Sequence, residues 1–491
     1  MNSWVYRVKK QLRQEIHISR HIGWFAIGIL VGTALVLIMP IKYLPSNTWF
    51  FVVVAIIVYI VKKPSHGKVL LILCAGVMTG LIRGGDVRMS LSKYEQLIGR
   101  SVFIEGTIAE DATLTAPDKQ RLVLRSVTID SVKMQGKIWV TTDSSIAFKR
   151  TDRLQLEGNV GKGFGTIPAT INKVKIIDVK RPLHGDIALE VRDWFASGVH
   201  KNIDEPEASL GLGFLLGQHS TLPASLEANL RLLGLTHIIV ASGYNLTILV
   251  RLARRKLMKI SRYTSLIGSL GLIGSFILIT GFSPSMSRAG IVASLSLFAW
   301  YYGRKIRPFI LLSVSAAITV LFNPGYIWGD IGWYLSYLSF FGVIVLAPLL
   351  RAYFFADKPK PHFLRDILIE TSSAQIMTLP IIAFVFAQYS PLSLVANVMV
   401  LPAIPFAMLA TFVSGIASII VPFLGPIVSV PAELILGYIT YVVDWFAKIP
   451  WASGTISINA LSLVGLYLLI AGCTAIMFVR TRKLEKTIEY I

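Results

Sequence analysis

From Leu210 to Phe478 the chain is almost continuously apolar, broken only by short polar or proline-bearing joints. That feature leaves few folds open. A backbone segment inside lipid must satisfy its own polar groups, so an apolar run of about 20 residues reads as a helix that crosses a bilayer. Such runs fall at 235–250, 265–281, 286–303, 307–322, 331–350, 368–388, 392–420, 427–447 and 457–479, with three more near 22–39, 48–61 and 69–82. Charged residues make up only 15% of the chain and hydrophobic ones 54%, whereas soluble domains carry about 25% charge. An ordinary soluble protein, a disordered chain and a fibre are excluded. The pattern predicts a polytopic α-helical membrane protein of about 12 spans.

Between the third and fourth runs the character changes. Residues 83–181 alternate apolar and polar in strand fashion at Ser101–Ile108, Gln120–Ile129, Lys137–Thr142, Arg153–Val160 and Lys173–Lys180, with turn residues between. Five short strands of period two predict a small closed all-β barrel or sandwich, and the count fits an OB-like barrel. From 183 to 204 the period becomes helical: Ile187, Val191, Trp194, Phe195 and Val199 oppose Asp186, Glu190, Arg192 and Asp193. That is the pattern of an amphipathic helix on a membrane surface. The expected organisation is a basic segment and three spans (1–82), an OB-like domain (83–182), an interfacial helix (183–204), a helical membrane domain (205–480) and a cytoplasmic tail (481–491).

Loop charges test the topology, because Lys and Arg collect on the cytoplasmic side. Basic residues crowd the N-terminus, the 62–68 loop (Lys62, Lys63, Lys68), Arg251–Arg262 (six cations, no acid), the 304–307 loop (Arg304, Lys305, Arg307), the 351–365 loop and the C-terminus (Arg480, Arg482, Lys483, Lys486). Alternating through the spans puts all six segments on one side. Both termini are then cytoplasmic, and the β domain lies outside the cytoplasmic membrane. The chain carries 48 Lys+Arg against 27 Asp+Glu, net +21, and most of the excess sits in those loops. Residues 83–181 hold 17 Lys+Arg and 11 Asp+Glu, a net of +6 where topology does not ask for it. This smaller excess speaks for a polyanionic partner.

Polar residues inside the apolar runs mark candidate sites. The run 235–250 contains His237, Ser242, Gly243, Asn245 and Thr247; His237 and Tyr244 share a helical face, and Asn245 lies one position round. Ser242-Gly243 can unwind a helix to line a pathway, or the group can join helices through hydrogen bonds and small-residue contacts. Arg288, in Gly281-Phe-Ser-Pro-Ser-Met-Ser-Arg288-Ala289, either snorkels to headgroups or meets a phosphate in a polar pathway. Asp330 at a span end either caps a helix or lines the same pathway. Gln375, Pro380, Asn397, Pro402 and Pro405 interrupt later spans.

Other chemistry is poorly supported. Gly158–Gly163 is not a phosphate-binding loop, since Gly163 follows Lys162 where Ser or Thr is needed. Ala241-Ser242-Gly243 lacks the first glycine of a nucleophile elbow. His17 and His21 have no adjacent glutamate for a zinc motif, and Cys74 and Cys473 sit alone in apolar runs. No cofactor and no metal is expected.

Four ordered motifs make the sequence similar to the ComEC competence family of inner-membrane DNA-uptake channels. They are Leu216-Gly217 through Leu222-Pro223 to Leu233-Gly-Leu-Thr-His237-Ile-Ile-Val-Ala-Ser242-Gly243; Gly281–Ala289, similar to the family's S-x-x-R-A; Asn323-Pro324 followed by Asp330-x-Gly332-Trp-Tyr-Leu335-Ser336; and Gln375 to Leu379-Pro380 with Leu394-Val-Ala-Asn397 and Leu401-Pro402. They cover about 205–410. The sequence departs from the family at Gln218, where an acid is usual, at Tyr244-Asn245 in place of Leu-His, and at Tyr334 in place of Gln. The resemblance implies a channel that passes single-stranded DNA into the cytoplasm, surrounded by membrane lipid and pulled by a separate cytoplasmic motor. Larger members carry a C-terminal metallo-β-lactamase-like domain; here the chain ends about a dozen residues after the last span, so a nuclease, like a DNA receptor, is expected to be a separate protein. A homo-oligomer stays open.

On this reading Gln375 and Asn397 join His237, Ser242, Gly243, Asn245, Arg288 and Asp330 along the DNA pathway. Arg121, Arg125, Lys133, Lys137, Lys149, Arg150, Lys173 and Lys175 gather phosphates on the β domain. Its aromatics are Phe103, Trp139, Phe148 and Phe164; some are needed for the core, which favours electrostatic capture over base stacking. Two rival classes remain: a transporter of a small solute or lipid intermediate, and an intramembrane enzyme using His237, Ser242 or Asp330. The enzyme reading lacks a carboxylate pair or oriented triad.

Overall fold

The computed structural model describes residues 18–40, 53, 68–116, 118–143, 148–182, 186–217, 222–236, 243–281, 284–304, 307–355 and 363–488. Its helices are α1 (Ile18–Leu35), α2 (Val69–Glu95), α3 (Ile187–Val199), α4 (Glu207–Leu216), α5 (Ala224–Leu232), α6 (Gly243–Leu257), α7 (Arg262–Ile279), α8 (Pro284–Tyr301), α9 (Pro308–Phe322), α10 (Gly325–Gly329), α11 (Ile331–Phe341), α12 (Ala347–Phe354), α13 (Phe363–Phe386), α14 (Ser393–Val400), α15 (Ile404–Ile420), α16 (Gly425–Ala447) and α17 (Ala460–Ile488). The strands are β1 (Ser101–Ile108), β2 (Thr113–Ala116), β3 (Lys119–Ile129), β4 (Val132–Lys133), β5 (Ile138–Asp143), β6 (Arg153–Phe164), β7 (Ile167–Lys180), β8 (Gln388–Tyr389) and β9 (Gly454–Thr455). The chain forms two compact units, 1–189 with 290–333 and 190–289 with 334–491.

It is a multi-pass membrane protein with a small β region in its N-terminal half. Among the described residues seven helices are long and apolar enough to cross a bilayer, and the pair α14–α15, bent by 46°, brings an eighth. The sequence reading counts about twelve, and the reason for the smaller number is local. The run 48–61 lies almost wholly outside the described residues. α6 ends in Arg254, Arg255 and Lys256, α8 mixes Arg288 with serines, and α9 has only 15 residues. The run 392–420 is two helices because Pro402 and Pro405 interrupt one; a proline lacks the N–H that continues the ladder.

In the first unit α1 and α2 run side by side at small-residue contacts. A methyl on Gly28 would stand 2.4 Å from the Leu73 carbonyl oxygen, and one on Gly80 would stand 2.3 Å from that of Ile29. Small residues let backbones approach in this way inside membranes. The contacts ascend together, Gly28 with Gly76 and Val36 with Gly84, so the two helices are parallel. α9 has the same sense. Its start meets α1, since Ile310 lies beside Gly23, and its end meets α2, since Arg83 Nε donates to the Leu321 carbonyl at 2.9 Å.

α2 runs straight into a β barrel. β1 pairs with β3, β3 with β5, β5 with β7, β7 with β6 and β6 with β1; only the β5–β7 pairing is parallel. The circuit therefore closes, and five long strands leave no open edge between them. Inward residues are aliphatic: Ile104, Leu122, Leu124, Ile138, Val140, Leu156 and Ile171 are all 1% exposed or less. Tyr94 from the last turn of α2 joins this core, which fixes the barrel to the helix. The barrel's Gly165 hairpin reaches the Gly329 carbonyl, and Thr166 lies beside Gly325. Trp328 Nε1 in turn donates to the Thr33 carbonyl of α1 at 2.9 Å. The segment Asn323–Asp330 thus joins barrel and helices.

The second unit is built around one apolar core. Phe195 and Val199 of α3, Leu210 to Phe214 of α4, Leu226 and Leu230 of α5, Ala396 of α14, Met408 of α15 and Leu436 to Phe446 of α16 all contribute. α3 also leaves Ile187, Val191 and Trp194 exposed on another face. Polar links cross the core: Thr440 Oγ1 donates to Glu207 at 2.9 Å, and Asn202 Nδ2 to Ser418 Oγ at 2.7 Å.

Candidate functional site

Three of the four sequence motifs meet in the second unit. α6 and α8 touch at their first turns, where a methyl on Gly243 would stand 3.0 Å from the Ala289 side chain and 3.7 Å from the Phe340 ring of α11. One turn of π-helix, Gly342–Leu346, follows α11. It presses on α13, since a methyl on Gly342 would lie 2.5 Å from the Ser373 carbonyl oxygen. π-turns inside helices recur at functional sites. Gln375 lies half-buried two residues further along α13. Gly243, Ala289 and Phe340 thus meet across α6, α8 and α11, and Gly342 and Ser373 meet where the π-turn presses on α13.

Asn245 faces protein. It is fully buried, and its Nδ2 donates to the Phe214 carbonyl at 3.0 Å. Phe214 sits in the last turn of α4, where carbonyls lack intrahelical donors; Asn245 supplies one. Arg288 is only 3% exposed. His237 and Ser242 lie outside the described residues.

The remaining helical candidates are dispersed. Asn397, 3% exposed, donates to Ser393 Oγ at 3.4 Å, and Ser393 lies beside Gly234 of the first motif. Asp330 belongs to the first unit. Its carboxylate accepts from the Trp333 N–H at 2.7 Å, which is the capping geometry of a helix start.

On the barrel the cations divide. Arg125, Lys133, Lys149, Lys173 and Lys175 are exposed. Lys137 pairs with Glu110 at 2.6 Å. Arg150 is buried and sits between Asp111 and Asp186, at 3.8 and 3.3 Å. Beside it, buried Asp152 accepts two bonds from Arg181, each at 3.1 Å; that hydrogen bond, then the carboxylate's charge, raises the Arg181 pKa above its usual range. These pairs tie the start of β6 to the linker before α3. Of the four aromatics, some of which the sequence reading places in the core, one packs against it. Phe103 and Phe164 are exposed, Trp139 faces outward, and Phe148 alone of the four packs against the core.

A family model described as Competence protein matches residues 214–483, more than half of the chain. The chain belongs to the Competence protein family. The matched range takes in α6, α8, α11 and α13. Among individual relatives, the chain is 25% identical over 186 residues to ComE operon protein 3 of Bacillus subtilis (strain 168), covering 38% of this chain and 23% of that protein. It is 24% identical over 265 residues to an uncharacterized protein of Aquifex aeolicus (strain VF5), covering 53% of this chain and 60% of the other. The chain thus spans less than two thirds of either relative's length. No solved structure matches it.

Two features of the family segment were hidden in the sequence. The π-turn at Gly342 had no periodicity to announce it, because 340–350 around it is apolar throughout. The Asn245–Phe214 bond joins residues 31 apart, and only the buried amide hinted at a backbone partner.

Proposed function

We propose that this protein acts in DNA uptake, as a channel that passes single-stranded DNA across the cytoplasmic membrane into the cell. The observation that carries the reading is the Competence family match over 214–483. Gly243, Arg288, Phe340 and Gln375 are the proposed wall of the passage, with Arg288 as its phosphate contact. A separate motor draws the strand, a DNA receptor acts with it, and copies of the chain can assemble around the passage.

The topology proposed is about twelve crossings with cytoplasmic termini and the barrel outside. Helix directions support it. α1, α2 and α9 are parallel, and each follows a basic segment: the N-terminus, 62–68 and 304–307. The barrel continues from the far end of α2. In the second unit Arg480 Nη1 donates to Tyr353 Oη at 3.1 Å, and the Glu370 carboxylate lies near Arg351 and in the field of Arg251. Three basic segments gather there at one end, as one-sided loops require. The closed five-strand circuit with a single parallel pairing fits an OB-like barrel.

Transformation frequency tests the function. Deleting the gene in a transformable host abolishes transformation, and a plasmid copy restores it; an unchanged frequency in the deletion strain contradicts the proposal.

A further inference from the structure

Trp139 stands on the outer wall of the barrel. Its neighbours on β5, Ile138 and Val140, are fully buried and point inward, so the residue between them points out. On β3 the inward residues are Leu122 and Leu124, and the outward ones are Arg121, Val123 and Arg125. Val123 pairs with Trp139, and Arg121 with Thr141. Diagonally across the two strands the Arg121 guanidinium lies over the indole, 4.4 Å from its centroid. Val123 is 8% exposed although it lies outside the barrel core; its neighbours on the outer wall cover it. The result is an apolar floor with a planar ring, a stacked cation on it, and a second, exposed cation, Arg125, two strand steps away.

The charge on this wall is mainly basic. Lys119 faces Asp143 across the sheet and adds little, but Arg121 and Arg125 have no acid opposite them, their partners being Thr141 and Thr107. The acids on the adjoining strands, Glu105 of β1 and Glu157 of β6, accept from Gln155 and Ser101, and Glu157 faces Lys175 of β7. A polyanion approaching the barrel is drawn to the cations of the β3–β5 wall.

We infer that the β3–β5 wall is a stacking platform for single-stranded DNA. A base lies on the Trp139–Arg121 pair, and Arg125 takes a neighbouring phosphate. The chemistry follows from the surface: every base has a π-face that stacks on an aromatic ring or a guanidinium plane, without sequence preference. Cations alongside supply the salt-dependent part of the grip. The inference rests on the DNA reading above and names where the barrel first holds the strand. It adds stacking to electrostatic capture, because Trp139 is on the outer wall and not among the core residues.

The test uses the full-length protein in nanodiscs of zwitterionic lipid, with an oligothymidylate of about 16 nucleotides, the upper site size for one such barrel. An abasic strand of equal length is the comparison, and binding is read by fluorescence anisotropy. The wild type binds the base-bearing strand about tenfold more tightly than the abasic one. Trp139→Leu keeps Val123 covered but has no ring face; it loses the preference and retains the abasic affinity, while Trp139→Phe keeps most of the preference. Arg125→Ala weakens both strands alike. Equal binding of the two strands by the wild type, or a preference that survives in Trp139→Leu, overturns the platform. Either result alongside normal transformation leaves the transport reading standing, whereas normal transformation in the deletion strain removes transport without touching the platform.

Discussion

Asn245 looks like a pathway residue in the sequence and acts as a backbone partner in the structure. Its Nδ2 is a side-chain donor to the Phe214 carbonyl, and both groups are buried. Asn245→Ala leaves that carbonyl without the bond, which costs about 1–3 kcal/mol. Thermal unfolding in detergent should show a lower midpoint, and an unchanged midpoint would mean that another donor already serves Phe214. Arg288 belongs to transport on this account. A charged hydrogen bond is worth about 1.5–3 kcal/mol, so Arg288→Ala should cut uptake of labelled DNA by roughly tenfold or more, with Arg288→Lys partly restoring it. Normal uptake in Arg288→Ala takes this residue out of the mechanism. Arg150 has left the phosphate-binding set, because it is held between Asp111 and Asp186 and an ion pair cannot also be an open anion site.

At the scale of elements, the α1–α2 contact is the most exacting. Backbone carbonyls occupy the space beside Gly28 and Gly80, so Gly80→Val drives a side chain into main chain that has little room to move. Such overpacking costs about 1–3 kcal/mol or more, and proteolysis in detergent should become faster for the variant than for the wild type. Equal resistance would show that the two helices separate without loss. Period-two alternation made β1 readable to the residue, because one face is core and the other water. It failed at the start of β7, which begins at Ile167 and not Lys173. Pro168 and the glycines before it imitate a loop, although the N–H that proline lacks is tolerable next to a hairpin tip. Apolar runs gave the helices of the membrane region but not their breaks, since a run such as 331–354 has the same composition whether it is α-helical or contains a π-turn. Contacts between distant segments, such as Arg121 on Trp139, depend on strand register, which alternation alone leaves free.

For the whole molecule, sidedness and transport are the two claims that matter. On the proposed topology, α1, α2 and α9 each run outward from a basic segment, which puts the barrel outside and the 251–262 loop inside. In a background lacking Cys74 and Cys473, a membrane-impermeant maleimide should label Asp118→Cys in intact cells and Lys256→Cys only after permeabilisation; the reverse pattern inverts the topology. Transport itself is tested most directly by following labelled DNA in a transformable host. Cells with the intact gene should accumulate label as single strands in a nuclease-protected cytoplasmic pool, and cells without it should hold all label outside, where added nuclease removes it. A deletion strain that fills the protected pool as fast as the wild type would contradict the account.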